Sequence, residues 1–504
     1  MKILMVYPRY PDTFWSFKHA LKFIDKKASF PPLGLLTIAS FLPKDWDVKL
    51  VDLNVENLND KDIEDADYIF ISAMLIQKNS VDMVIQKAKK FNKKIITGGP
   101  LFTTGHENYP FVNSIVVGEG ELVMPYLIED IKNGNLKHIY ESEGKPDLKL
   151  VPVPRWDLID TKYYASMSIQ YSRGCPFNCE FCDIIILNGR IPRTKTPEQM
   201  IDEFNALYDI KWRGSVFIVD DNFIGNKKNA KEMLKNLIEW QKKRNYPFSI
   251  FTECSINLVD DEELMDLMIE ANFNKIFIGI ESPEEESLKE INKVQNIKRD
   301  LIDSIKTLQK RGFEVMGGFI VGFDNDNILT FSKMLNFIQK SGIATAMVGL
   351  LNVLPKTKLF ERLKNENRIL NISSGNNTDF TINFIPKNIK KEELLNGYRQ
   401  LIKDIYSYKY YYERLWNFIK NYNPKEKHKV NFKEVVYGAK AFFRSVYKLG
   451  IIESSRFYYW KTFFKTIFVK PKAIVIEITL TIYGYHFKKV YEENEKRLRA
   501  GFEI

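Results

Sequence analysis

Short apolar, β-branched runs alternate with amphipathic helical stretches along the first 360 residues, and that alternation confines the chain to parallel α/β architecture. Lys2–Tyr7, residues 48–53, Tyr68–Ser72, residues 94–97 and Ser114–Val117 read as five strands, several apolar throughout, as strands covered on both faces are. They predict a Rossmann-like, doubly wound sheet over residues 1–140. A polar linker follows over residues 141–160, where Pro152 and Pro154 prevent a continuous helix or central strand. Strand–helix units then repeat six times over residues 161–360, with strands at residues 167–172, 215–220, 249–255, 275–281, Glu314–Val321 and residues 344–354. That number of parallel units predicts a closed or partly closed barrel with its site at the strands' C-terminal ends. Residues 361–504 read as a mainly helical C-terminal domain without a clear catalytic motif.

Composition narrows the function classes. With 45% hydrophobic and 27% charged residues the chain is neither disordered nor fibrous. Four cysteines, three of them within eight positions, are too few and too clustered for a secreted disulfide scaffold. The most apolar late run, residues 473–485, is 13 residues long and contains Glu477, against the roughly 20 that a membrane span requires. The first residues read as a strand rather than a signal peptide, so a cytoplasmic protein with reduced thiols is expected.

The strongest motif is Ser172-Arg173-Gly174-Cys175-Pro176-Phe177-Asn178-Cys179-Glu180-Phe181-Cys182, a C-x₃-C-x₂-C loop after the first barrel strand. Three thiolates this close suit three irons of a [4Fe-4S] cube and leave the fourth iron open. Zinc is the alternative, but it usually takes four protein ligands. The five histidines, His19, His106, His138, His428 and His486, all lie far away in sequence. Cys254, on a barrel strand, reads as a small buried hydrophobe.

With this loop on the first strand of such units, residues 160–360 resemble the radical S-adenosylmethionine (SAM) superfamily, whose fold is a partial (βα)₆ barrel. The resemblance implies a [4Fe-4S] cluster held by Cys175, Cys179 and Cys182. Its open iron would be chelated by SAM, which one electron cleaves to a hydrogen-abstracting 5′-deoxyadenosyl radical. It also implies an electron donor such as flavodoxin or ferredoxin. Carried over one at a time, Phe181 would sit near the adenine. Asp220, Asp221 and Asn222 would receive the methionine amino group, and Glu253 the ribose or methionine moiety. Glu281 matches another polar contact. Gly318 and Ile320, within Gly317-Gly318-Phe319-Ile320-Val321-Gly322-Phe323, resemble the strand where backbone approaches adenine. From the residues alone, the aspartates also suit helix caps and Glu253 a salt bridge. Arg193 and Lys195 suit either SAM's carboxylate or a solvated loop.

The front domain resembles the cobalamin-binding domain that precedes many radical SAM methyltransferases. The matching residues are Ser72 in Ser72-Ala73-Met74-Leu75, then Thr97-Gly98-Gly99-Pro100, then Gly118-Glu119-Gly120-Glu121. Small residues at strand ends of a doubly wound sheet form a crevice for a nucleotide-like tail. No histidine sits in a D-x-H-x-x-G loop, so cobalamin would bind without a protein histidine, or the domain would be an empty relic. Pro31-Pro32-Leu33-Gly34-Leu35-Leu36, Pro154-Arg155-Trp156-Asp157-Leu158-Ile159-Asp160 and Tyr483-Gly484-Tyr485-His486-Phe487 resemble the subgroup containing hopanoid C-2 methylases, which methylate an unactivated carbon of a polycyclic lipid. Leu354-Pro355-Lys356-Thr357 departs from a more usual L-P-G-T by placing Lys356 where a glycine often stands.

The tail departs most from average composition. Residues 371–504 hold 25 Lys and Arg against 13 Asp and Glu, and 28 of the 68 aromatic residues. Aromatic–basic helices rest on anionic membranes, line apolar pockets, bind nucleic acid or simply cap a barrel. The expected protein is a C-methylating enzyme for a hydrophobic, lipid-like substrate, with peripheral membrane contact through this domain and nucleic acid not favoured. The alternatives are a ring- or bond-forming radical SAM lipid enzyme, an RNA-modifying enzyme, and a non-catalytic binding protein.

Overall fold

The computed structural model describes residues 1–425, 427 and 432–500. Its first sheet is parallel throughout: β1 (Lys2–Tyr7), β2 (Asp47–Asp52), β3 (Tyr68–Ser72), β4 (Lys94–Gly98), β5 (Ser114–Val117) and β6 (Ile139–Glu141), in the order β2-β1-β3-β4-β5-β6. The order reverses at β1, which places a ligand crevice at the C-terminal ends of β1 and β3. Ile3, Leu4, Met5 and Val6 are all buried, as strands covered on both faces require. The sequence does not predict β6. It is a three-residue edge strand with only Tyr140 buried, too short to show a period. It carries the sheet one residue past 140.

The second sheet starts at β7 (Met167–Ile169), after which the ribbon β8 (Ser172–Arg173) and β9 (Arg193–Thr194) closes the cysteine loop at its neck. It continues through β10 (Gly214–Ile218), β11 (Phe248–Glu253), β12 (Phe273–Glu281), β13 (Glu314–Val321) and β14 (Ala346–Leu350). Each strand lies parallel to its predecessor, in the order β7-β10-β11-β12-β13-β14. β7 and β14 are the two edges among the described residues, so this is a partial (βα)₆ barrel.

Four expected barrel strands are shorter than predicted, residues 215–220 and 249–255 by one residue each and two others by more. Residues 167–172 break after Ile169 because the Asp220 carboxylate accepts from the Tyr171 amide at 2.8 Å and the Ser172 hydroxyl at 2.7 Å, drawing the chain out of the ladder. Residues 344–354 reduce to Ala346–Leu350: Leu351 N still donates to Val321 O of β13, and beyond it Val353 N turns to Asn383 Oδ1 of a loop instead.

The C-terminal region is helical. Tyr398, on the helix Lys391–Ile405, donates its hydroxyl to Val348 O at 3.0 Å, and Tyr406 donates to Ala346 O. Both satisfy carbonyls of the edge strand β14. The last helix, Ile474–Arg499, packs His486 against Phe14 and Phe17 near the N-terminus. No helix of the described residues is long and apolar enough to cross a membrane.

Candidate active site

The cysteine loop is built on a tight neck. Gly174 has φ +96°, and a Cβ there would lie 2.8 Å from Ile191 O and 3.0 Å from Gly189 O, so a side chain would force the ribbon open. Within the loop the Cys175 amide donates to Gly189 O and the Cys182 amide to Cys179 O. Cys179 is buried and the other two are half-buried. Burial pushes all three thiols above their ordinary range, and the Lys293 ammonium acts against that at each. Side-chain amides also approach the sulfurs: Asn222 Nδ2 lies 3.9 Å from Cys175 Sγ, and Gln295 Nε2 4.0 Å from Cys179 Sγ. Among the described residues no three His, Cys, Asp or Glu side chains close around a single point. Three thiols on one loop are the donor set of a cluster whose separate irons each take one thiolate. Cys254 is buried immediately after β11, where its amide donates to Phe277 O.

The predicted acids gather just past β10 and at the last residues of β11 and β12, and the structure gives each a different environment. Asp220 is fully buried, both its oxygens serve the neck of the loop, and burial pushes it up to about 7. Asp221 accepts from Asn188 Nδ2 at 2.9 Å and burial pushes it up to about 6. Asn222 Oδ1 accepts from the Ser255 amide and hydroxyl. Glu253 makes no ion pair among the described residues, unlike the salt bridge the sequence also allowed. Burial, followed by the charges of Asp221, Asp220 and Glu281, pushes it up to about 8. Glu281 sits at φ +63°, a left-handed position for a non-glycine residue, and pairs with Lys293 at 2.6 Å. This acidic group suits a sulfonium and an ammonium on one small molecule.

Inside the sheet Gly318 and Ile320 share a face of β13, both half-buried. A Cβ on Gly318 would lie 2.8 Å from the Phe277 ring, so glycine allows close approach there. Phe181 is half-buried, its ring 6.4 Å from that of Phe323. Phe217 and Phe251 stack at 4.6 Å, Phe30 lies 5.1 Å from Phe217, and Trp15 packs 4.9 Å from Phe277.

A cavity of about 750 Å³ joins the two sheets. Ser72, Thr97, Gly98, Gly99, Pro100, Gly118 and Glu119 line it from the first sheet, and Ser168, Gln170, Phe217 and Val219 from the second. All seven of these candidate crevice residues thus line one space. Glu119 is not free within it: Arg193 holds its carboxylate at 2.7 Å and Arg173 at 2.6 Å. Arg193 is therefore committed to Glu119, and Lys195 to the buried Glu203, so neither belongs to a solvated loop or waits for a carboxylate ligand.

Sequence reasoning missed Lys293, Gln295, Trp15, Phe30, Tyr7 and Tyr10, all of which border the loop or the cavity. Lys293 and Gln295 lie in a polar connection without a motif. Phe30 directly precedes the Pro31-Pro32-Leu33-Gly34 run, which was the one available signal.

Residues 169–338 match the family model of the radical SAM superfamily, residues 26–128 that of the B12 binding domain, and residues 357–500 a domain of unknown function. The chain is 40% identical over 496 residues to an uncharacterized methyltransferase of Synechocystis sp., covering 98% of this chain and 92% of that one. It is 38% identical over 387 residues to the hopanoid C-2 methylase of Rhodopseudomonas palustris, covering 76% of this chain and 73% of that one. Its fold is similar to that of the radical SAM methyltransferase TsrM from Kitasatospora setae, solved with cobalamin and a [4Fe-4S] cluster bound. That match has a TM-score of 0.61 at 16% identity and covers 72% of this chain and 78% of that one.

Proposed function

This chain belongs to the cobalamin-dependent radical SAM methyltransferases, and from that premise we propose that it methylates an unactivated carbon of a hydrophobic, lipid-like substrate. The observation that carries this reading is the single cavity bordered at once by the strand ends of the front sheet and by β7 and β10 of the barrel. A methyl carrier on one side and a radical source on the other need such a shared space. When bound, the [4Fe-4S] cluster, SAM and cobalamin supply reductive SAM cleavage, hydrogen-atom abstraction and methyl transfer.

The chain's own residues divide the remaining work. Cys175, Cys179 and Cys182 hold the cluster, with Asn222, Gln295 and Lys293 supplying donors and positive charge beside the sulfurs. Asp221 and Glu253 meet the cationic groups of SAM. Asp220 positions the loop through its bonds to Tyr171 and Ser172 rather than touching ligand. Glu281, steadied by Lys293, offers a polar edge. Gly318 and Ile320 leave a flat wall for adenine, with Phe181 beside it. Ser72, Thr97, Gly98, Gly99, Pro100 and Gly118 form the cobalamin crevice. The aromatic set of Trp15, Phe30, Phe217 and Phe251 excludes water from the reacting carbon and presents an apolar surface to the substrate.

The partners follow: a lipid-like substrate, an electron donor of the flavodoxin or ferredoxin kind, and a membrane surface met through the C-terminal cap. The test is anaerobic production with cobalamin, followed by mass spectrometry of lipids from cells with and without the protein, using methyl-labelled SAM. A labelled gain of one methyl is expected. Loss of hydrogen without label would overturn the methylation.

A further inference from the structure

Helix Phe432–Ser445, the π-helical turn Val446–Ile452 and helix Arg456–Val469 form a hairpin at the edge of the cap. Phe442 stacks on Phe463 with centroids 5.8 Å apart, and Ser445 Oγ and Tyr459 Oη lie 3.0 Å apart, so the two helices hold each other. Their polarity is inverted. The buried face of the second helix is Tyr459, Thr462 and Thr466. Its outer face carries Phe457, Phe464 and Phe468, exposed at 67%, 50% and 81%. Spacings of seven and four put these three rings on one stripe. Phe443 and Tyr447, 68% and 63% exposed, continue the apolar surface on the first helix and the turn. Scattered exposed hydrophobes are ordinary, but a run of rings across two packed helices marks an interaction surface.

Charge selects the occupant. Residues 432–475 contain nine Lys and Arg against two Glu; Lys440 and Arg444 pair with Asp25 and Lys448 with Glu453, which still leaves the segment net basic, so a second copy would bring like charges together. An anionic lipid surface is complementary, at about 1 kcal/mol per basic residue near it. Lys461 lies within the aromatic stripe, its Nζ 5.9 Å from the Phe457 ring, an arrangement in which ring and methylene stem enter the acyl boundary while the ammonium stays among headgroups. No helix of the described residues spans a bilayer, so the hairpin lies on it.

The hairpin is also tied to the catalytic cavity. Arg444 pairs with Asp25 at 2.7 Å and donates to the carbonyls of Lys22 and Phe23, and Lys440 also pairs with Asp25. The same N-terminal segment contributes Trp15, Ser29 and Phe30 to the cavity wall. We propose that this hairpin is the face by which the enzyme docks on an anionic lipid leaflet, held to the N-terminal segment that also walls the cavity it supplies. The supply of substrate rests on the lipid-like substrate proposed above; the docking does not.

The experiment sediments the full-length protein, with cluster and cobalamin reconstituted, against vesicles of phosphatidylglycerol mixed with phosphatidylcholine and against phosphatidylcholine alone. Partition onto the anionic vesicles should be at least tenfold stronger and fall as salt rises. The variant Phe457→Ser/Phe464→Ser/Phe468→Ser should lose at least tenfold of it while forming 5′-deoxyadenosine in lipid-free solution at the unaltered rate. Those rings are exposed, so the variant should melt as the parent does. Absence of anionic-vesicle binding, or equal binding by the variant, overturns the proposal. So does a dimer in sedimentation velocity that the variant dissolves, which would give the face to a second copy. Vesicle binding without any methylated lipid leaves the docking standing and removes the substrate reading instead.

Discussion

The Arg173 guanidinium lies 2.6 Å from the Glu119 carboxylate and 2.7 Å from that of Glu121, linking the residue that opens the cysteine loop to the turn after β5 in the front sheet. Arg193, the cross-strand partner of Arg173, reaches the same Glu119. Two like charges facing each other across a ribbon repel, and the shared carboxylate is what makes the pair tolerable. All four side chains are largely buried, at 17% exposure or less. Their net worth over an apolar replacement is small, but removing one partner strands a buried charge, at about 3–5 kcal/mol. Arg173→Met should therefore lower the denaturant midpoint strongly. Arg173→Met/Glu121→Met should recover part of that loss. In the single variant, deoxyadenosine formed per product methylated should rise, because the loop is no longer fixed against the cavity. An unchanged ratio would reduce the pair to a structural tie.

Glu253 carries a pH signature. Its folded carboxyl is pushed up to about 8, chiefly by burial, while an unfolded glutamate titrates near 4.3. Between those values the folded state binds the extra proton, so the group's contribution to stability is present at low pH and falls as pH rises through the window. Glu253→Gln should raise the melting temperature of the cofactor-free protein at pH 8 and leave it nearly unchanged at pH 4. The same variant should bind SAM less tightly, since the amide offers no charge to the sulfonium. Equal melting shifts at both pH values would contradict the assigned environment.

Cys175, Cys179 and Cys182 replaced together by alanine should abolish iron and sulfide binding and SAM cleavage. Cys254→Ala should leave iron content at the parental level, since that thiol is buried just after β11 and is not one of the three on the cysteine loop. Iron lost equally in both variants would undo the division between ligand and core cysteine.

Both sheets and the cysteine loop are legible in the sequence because strand period and thiol spacing are local quantities. The front-domain crevice is legible for the same reason: small residues cluster at the ends of β3, β4 and β5, and all of Ser72, Thr97, Gly98, Gly99, Pro100, Gly118 and Glu119 line one cavity. The use to which a side chain is put is not local. Asp220, Asp221 and Glu253 look alike as strand-end acids, yet the first is saturated by Tyr171 and Ser172 and the last makes no ion pair among the described residues. Lys293 and Trp15 reach the site only through tertiary packing, which no spacing within the chain reports. The three-residue strand β6 escapes because its pairing with β5, not its composition, creates it.

Lys356 stands where a glycine often does, and its backbone shows why: φ is +66°, in the left-handed region. A non-glycine residue there costs about 1 kcal/mol or somewhat more. In exchange its Nζ reaches across to the front domain, 3.3 Å from Thr103 O and 3.7 Å from Glu107 Oε1. That pair is largely exposed, so it contributes at most about 1 kcal/mol. Strain and tie are thus of similar size, and the two substitutions separate them. Lys356→Gly relieves the backbone and loses the tie, and should change stability by less than about 1 kcal/mol. Lys356→Ala keeps the strain and loses the tie, and should be the less stable of the two. Urea denaturation of both variants beside the parent checks the order, and an alanine variant more stable than the glycine variant would refute the strained backbone.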